Sequence, residues 1–326
     1  MKTINQKTTE YVEKILGIAC LEKGLSKNTK VAYKKDICLV FEWFERNKIN
    51  VLNANEKNFR ELFSFLQSYN YKPSSLNRKL SSLKQFYEVL KIEEKIKINP
   101  LNNIESFKKE NNLPKSLSEE HLILLLSQAK DNLNNVKKND TIKKIKYLRI
   151  LTILEILYST GMRVSELVSL PLTDFIKIND LLQIKGKGGV YRYVAFNQKA
   201  KNMVEMWLLL RSSVKKFANN KYIFPSNDGI GHISRQKIHK DLSELSNIGN
   251  MKTLNVSPHK IRHSFATHML NRGADLRSLQ KLLGHADIST TEVYTKVQSK
   301  RLAGLLNDIH PLNKINLKKT ESFKND

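Results

Sequence analysis

Helical periodicity runs through most of this chain and is broken by one pair of short segments, LLQIK (181–185) and VYRYVAF (190–196), which alternate or run apolar on either side of the glycine-flanked turn 186–189. A period of two around such a turn reads as a β-hairpin, whereas apolar residues three and four apart read as helix. The fold this permits is mainly α with a small β-sheet. With 326 residues, 40% of them hydrophobic, the chain is long enough for two ordinary domains, each with its own core.

Up to Ile104 the pattern predicts a four-helix N-terminal domain, bounded at 1–108. One helix covers 25–46, with Asn28 as its expected N-cap and Val31, Ile37, Val40, Phe41 and Phe44 at helical spacing. Others cover 56–70 and 74–92, the latter introduced by Pro73 and Ser74, and Asn99-Pro100 closes the region because proline disfavours helical continuation. Residues 109–116, polar and broken by Pro114, are expected to form a linker. A second domain is expected over 117–312, opening with Ser118 as N-cap and Glu119 and Glu120 in the first turn, where they complement the helix dipole. Within it the lysine-rich stretch 131–149 reads as a solvated insertion or a DNA-contacting loop, with the insertion favoured, and 313–326 reads as a flexible tail.

The formal net charge is +25, of which +8 falls before Leu113 and +17 after it, so the excess is not one cationic tail on a neutral body. Diffuse positive charge favours polyanions, because each neutralised phosphate releases condensed counterions, although a lysine-rich genomic composition gives the same balance. The two cysteines, Cys20 and Cys38, support neither a disulfide framework nor a cysteine zinc site and suggest a reducing compartment. No segment has the apolar length of a signal peptide or a membrane span, so membrane insertion is not expected and a cytoplasmic location is.

Chemistry concentrates in the second half, in GMRVSEL (161–167), KGKGG (185–189), SPHKIRHSFATHML (257–270) and LLGHADISTTEVYT (282–295). A phosphodiester is anionic and has a poor leaving group, so attacking it without a metal requires cations on the non-bridging oxygens, a proton donor and a nucleophile. Arg163, Lys187, His259, Arg262, His285 and Tyr294 supply that inventory. Gly161 is a natural breaker ahead of Arg163, Pro258 suits a helix start, and His259 and Arg262, three apart, lie on one helix face. Gly284 is expected to end a helix just before His285. Rival readings fit less well. Gly188 stands after Lys187 where a nucleotide-binding phosphate loop needs Ser or Thr, and the His259/His263 pair lacks the glutamate of a metalloprotease helix. His263 and His268 are therefore expected to serve packing or the helix surface. No cofactor and no metal are expected.

Together these segments resemble the catalytic domain of the tyrosine recombinases, the phage-integrase family, and its bacterial Xer branch in particular. The four N-terminal helices are similar to the family's core-binding clamp, in which Lys30, Lys34, Arg78 and Lys84 are candidate phosphate contacts. The resemblance implies that Tyr294 forms a 3′-phosphotyrosyl link, that Arg163, Arg262 and His285 stabilise the pentavalent phosphorus, that Lys187 protonates the departing 5′ oxygen, that His259 manages the tyrosine proton and that Glu166 braces the site. The implied partners are double-stranded DNA bearing a dif-like site, a homo- or heterotetramer with a second Xer-type recombinase, and an FtsK-type translocase. The segment 299–312, with Leu302, Leu305, Leu306 and Ile309, is implied to dock on a neighbouring subunit, with folding back on its own domain as the alternative. Chromosome dimer resolution through a Holliday junction is the favoured role, in line with the terminal DIHPL and no extra N-terminal arm-binding domain. Alternatives are a mobile-element integrase, a type IB topoisomerase and a catalytically silent DNA-binding relative.

Overall fold

The computed structural model describes residues 6–23, 25, 27–108, 116–176, 181–186, 191–248, 251–284 and 310–311. The chain divides into two compact units, Met1–Asn112 and Leu113–Asp326. The architecture is mainly helical with one two-stranded sheet, as the periodicity predicts.

The first unit holds α1 (Gln6–Lys23), α2 (Lys27–Arg46), α3 (Glu56–Ser68) and α4 (Pro73–Ile92). An aromatic chain forms its core: Phe41 meets Phe86 edge-on at 5.4 Å, and Phe59 joins Phe44 and Tyr87, each at 5.2 Å. Edge-to-face pairing matches positive ring edges to negative faces and stabilises such a core beyond its area alone. One buried ion pair spans the helices, with Lys79 Nζ donating to Asp36 Oδ1 at 2.7 Å.

One expectation needs correction in this unit. Helix α2 begins at Lys27, so Asn28 lies inside its first turn and is not the N-cap; the polar run 26–28 offers no sharp boundary for a capping residue to mark. Three of the four candidate phosphate-binding cations also have acceptors within the unit. Lys34 pairs with Glu13, Arg78 Nη1 lies 3.1 Å from Asp36 Oδ2, and Lys84 Nζ donates to the Ile104 carbonyl at 2.9 Å.

The second unit is built round α6 (Thr141–Thr160), whose residues from Leu148 to Thr160 are all buried. Helices α5 (Glu119–Asn134), α9 (Gln198–Ser212) and α11 (Pro258–Asn271) pack against it, and α10 (Arg235–Ile248) lies across its first half. Ser118 caps α5 as expected, its Oγ accepting from the His121 N–H at 3.2 Å. The stretch 131–149 is largely helical. Its first residues complete α5, Asp140 caps α6 by accepting from the Lys143 N–H at 3.0 Å, and Thr141–Arg149 form the first half of α6. Lysines on that half face outward or pair sideways, as Lys146 does with Glu244 at 2.9 Å, and this charge hides the helical period in the sequence.

After the short helices α7 (Val164–Val168) and α8 (Leu172–Ile176), strands β1 (Leu181–Lys185) and β2 (Tyr191–Ala195) form the expected antiparallel hairpin, in register from Leu181 opposite Ala195 to Lys185 opposite Tyr191. Helix α12 (Leu276–Leu283) then ends at Gly284, whose φ is +65°. His268 has the packing role expected of it: its Nε2–H donates to the Leu117 carbonyl at 2.8 Å and its Nδ1 accepts from Tyr158 Oη–H at 3.0 Å.

Candidate active site

Helix α6 delivers the first cation. It ends at Gly161, whose φ of +60° turns the chain abruptly and sets Arg163 at the head of α7. A Cβ at Gly161 would lie 2.4 Å from the Phe265 ring, so the turn needs glycine for its space as well as its dihedral. Glu166, one turn into α7, reaches back and accepts from the Arg163 N–H at 2.7 Å through Oε2 and from Arg163 Nη1 at 3.2 Å through Oε1. The motif GMRVSEL thus folds into a closed loop in which the carboxylate holds the arginine's backbone and side chain together.

Helix α11 delivers the second cation. Ser257 caps it and Pro258 occupies its first position, where a missing N–H costs nothing. One turn on, Arg262 is buried and donates from Nη1 to the Gly161 carbonyl at 2.7 Å and from Nη2 to the Leu283 carbonyl at 2.6 Å. His259, in the first turn, is exposed and lines an open groove of about 600 Å³ together with Val164, Arg235, Gln236, His239 and Lys240.

A third arginine joins these two, and the motif reading did not select it. Arg192, buried on β2, forks onto Glu166, with Nη1 2.6 Å from Oε1 and Nη2 2.8 Å from Oε2, while its Nε–H donates to the Leu282 carbonyl at 2.8 Å. Its sequence signal is one of register. Strand alternation puts residue 192 on the same face as Val194, opposite Ile184, so a charge there points into the core.

The guanidinium groups of Arg163 and Arg192 therefore converge on one carboxylate, and that of Arg262 is close enough to feel its charge. All three share the end of α12: Arg192 takes the carbonyl of Leu282, Arg262 that of Leu283, and Arg163 Nη2 that of Gly284 at 3.0 Å. The last carbonyls of a helix lack intrahelical partners and carry partial negative charge, so cations are well placed there. Burial is the strongest influence on Glu166 and would raise its pKa, but the hydrogen bonds and charge of Arg192, with help from Arg163, outweigh it and hold the carboxyl below its ordinary value. Arg262 moves the other way. Burial, then repulsion from Arg163 and Arg192, pulls its pKa down to about 10 against the opposing attraction of Glu166. It remains charged at neutral pH, and the cluster keeps an excess of positive charge suited to an oxyanion.

The structure thus brings together Arg163, Glu166 and Arg262, with His259 three residues ahead on the same helix. Lys187, His285 and Tyr294 lie outside the described residues, as does 299–309 of the C-terminal segment. Their flanks are visible: Lys185 and Tyr191 are the last paired residues of the hairpin on either side of Lys187, and Gly284 precedes His285. Within the same segment, His310 is buried in the second unit and donates from Nε2 to the Tyr158 carbonyl at 2.9 Å. Among the described residues no three His, Cys, Asp or Glu side chains are grouped to hold a metal ion, and no helix is long and apolar enough to cross a membrane.

Residues 106–301 match the Phage integrase family, and residues 18–94 match the Phage integrase, N-terminal SAM-like domain. Tyrosine recombinase XerD of Brucella suis biovar 1 is 36% identical over 301 residues, covering 92% of this chain and 97% of the relative. The XerD of Rhizobium meliloti is 37% identical over 304 residues (93% and 96%), and that of Rickettsia bellii 34% identical over 314 (94% and 99%). These names agree with the resemblance to the Xer branch. Among solved structures, XerH site-specific recombinase bound to palindromic difH substrate superposes with a TM-score of 0.66 at 22% identity, covering 92% of this chain and 84% of that one. The Tn1549 transposon integrase in complex with circular intermediate DNA gives 0.65 at 19% identity, with 89% and 97% covered. At those identities the likeness is one of fold.

Proposed function

The chain belongs to the phage integrase family and is a tyrosine recombinase that cuts and rejoins DNA, and from that premise we propose that it acts in chromosome segregation, resolving chromosome dimers at a dif-like site through a Holliday junction. The observation that carries the chemistry is the gathering of Arg163, Arg192 and Arg262 on the last carbonyls of α12, beside the residue that precedes His285, with Glu166 bonded to the first two. A site with that surplus of cations, one of them destabilised by its neighbours, is organised to accept a phosphodiester and to hold the greater charge of its transition state. Full-length relatives named XerD support the chromosomal role.

In this reading the scissile phosphate sits on Arg163, Arg262 and His285. Tyr294 Oη attacks phosphorus and passes its proton to His259. The bond to the 5′ oxygen breaks as Lys187 delivers a proton to it, leaving a 3′-phosphotyrosyl link and a free 5′ hydroxyl. A 5′ hydroxyl from the partner duplex reverses these steps and exchanges strands. The working assembly is a tetramer on double-stranded DNA, alone or with a second Xer-type recombinase, and an FtsK-type translocase switches it on. The first unit serves as the DNA clamp.

The test is strand exchange between two duplexes bearing the host's dif-like sequence, with and without any paralogous recombinase. Four-way junctions on that sequence are the expected product. Junctions only on the ends of a mobile element would assign the enzyme to that element, and relaxation of supercoils without any junction would assign it to topoisomerase chemistry.

A further inference from the structure

We propose that Arg192 is a positioning residue for DNA cleavage, acting through Glu166 and the end of α12 to fix three separate catalytic elements in one frame. The proposal rests on the tyrosine-recombinase reading above. Three observations place it there. Arg192 occupies β2, the strand that follows Lys187 in the chain. Its two terminal nitrogens take both oxygens of Glu166, the carboxylate that holds the backbone and guanidinium of Arg163. Its Nε takes the carbonyl of Leu282, three residues before His285. One buried side chain thus links the hairpin, α7 and α12.

The surroundings are shaped for this link. A Cβ at Gly284 would meet the Arg192 side chain, with Cδ at 3.2 Å and Nε and Nη1 at 3.4 Å, and Gly284 also has a φ of +65°. The glycine before His285 therefore lets the chain turn tightly against the guanidinium. A lysine could not reproduce the arrangement, because an ammonium cannot present a planar fork to two carboxylate oxygens and a separate N–H to a third acceptor. Arg192 is itself buried and spends its donors on protein acceptors, so it is not assigned a contact with DNA.

The experiment compares wild type, Arg192→Gln, Arg192→Lys and the double variant Arg192→Gln/Glu166→Gln, each as the full chain with its fold checked by circular dichroism. Single-turnover cleavage of a nicked duplex is followed against pH, with duplex affinity measured in parallel. Arg192→Gln should cleave on the order of a hundredfold more slowly while binding the duplex within about threefold of wild type. Its rate should also gain a new dependence on pH, rising as Glu166 ionises, because the buried carboxyl has lost its principal counter-charge. The double variant should lack that dependence and cleave no more slowly than Arg192→Gln, since both substitutions cut the same link. Arg192→Lys should fall between wild type and Arg192→Gln; if the glutamine variant does not fold, slower cleavage by the lysine variant at unchanged affinity carries the test. Wild-type rates in both variants, an unchanged pH profile, or an equal loss of binding and cleavage would overturn the positioning role alone. Absence of any cleavage by wild type would overturn the recombinase reading, and this role with it.

Discussion

Arg262 holds its charge at a cost that an incoming phosphate would remove. Buried and facing two other guanidinium groups, its pKa is lowered to about 10, and an oxyanion placed among the three would turn repulsion into attraction. The arginine pair, the glutamate and His259 were legible in the sequence because each sits in a short motif whose spacing is also its geometry: Arg163 and Glu166 are one helical turn apart, as are His259 and Arg262. Arg192 was not, because its partner Glu166 stands 26 residues earlier and only the hairpin's register brings them together. Lys187 supplies the sharpest test at this scale. Lys187→Ala should slow cleavage of an ordinary duplex by about a hundredfold or more, and a 5′-thio leaving group, which needs little protonation, should restore most of the rate. A variant that stays equally slow on the thio substrate would remove Lys187 from the general-acid role.

Among the elements, α6 does most to position the site. Its buried half runs straight to Gly161, where the chain reverses direction, Arg163 begins and the carbonyl that anchors Arg262 is exposed to it. Gly161→Ala should therefore cost about 3 kcal/mol, combining a left-handed backbone with a Cβ driven into Phe265 and Leu283. Urea unfolding would show a lower midpoint at unchanged slope; a midpoint equal to that of wild type would mean that the turn relaxes freely. The helices at 25–46, 56–70 and 74–92 and the hairpin could be read from periodicity to within a few residues, whereas α9 and α10 were not read. What periodicity missed follows from its blindness to amphipathic asymmetry: lysines on the outward side of 141–149 mask a helix, and the polar run 26–28 conceals where α2 begins.

At the scale of the molecule, the second unit has a built-in dependence on acid. Burial lowers the pKa of His310 from 6.5 to about 4, so its contribution to stability is full above pH 6.5 and is lost as pH falls towards 4. Buried Glu155 opposes this in the same window: raised from 4.5 to about 7, it contributes fully below pH 4.5 and less as pH rises through 7. The difference between wild type and His310→Asn isolates the histidine. That gap should narrow by about 2 kcal/mol between pH 7 and pH 5 in urea titrations, and an unchanged gap would mean that His310 titrates normally. The two units were foreseeable from the polar, proline-broken stretch ahead of Ser118, whereas the seat of His310 against Tyr158 and Phe265 depends on contacts about 150 and 45 residues distant, which no local pattern encodes. The account as a whole stands on Tyr294 attacking DNA without a metal. Its most direct measurement is covalent capture on a nicked suicide duplex carrying the host's dif-like sequence, with EDTA present and Tyr294→Phe beside wild type. An SDS-resistant adduct formed by wild type alone, with the variant still binding the duplex, is the predicted result; tight binding by wild type without an adduct, or an adduct that persists in Tyr294→Phe, would contradict it.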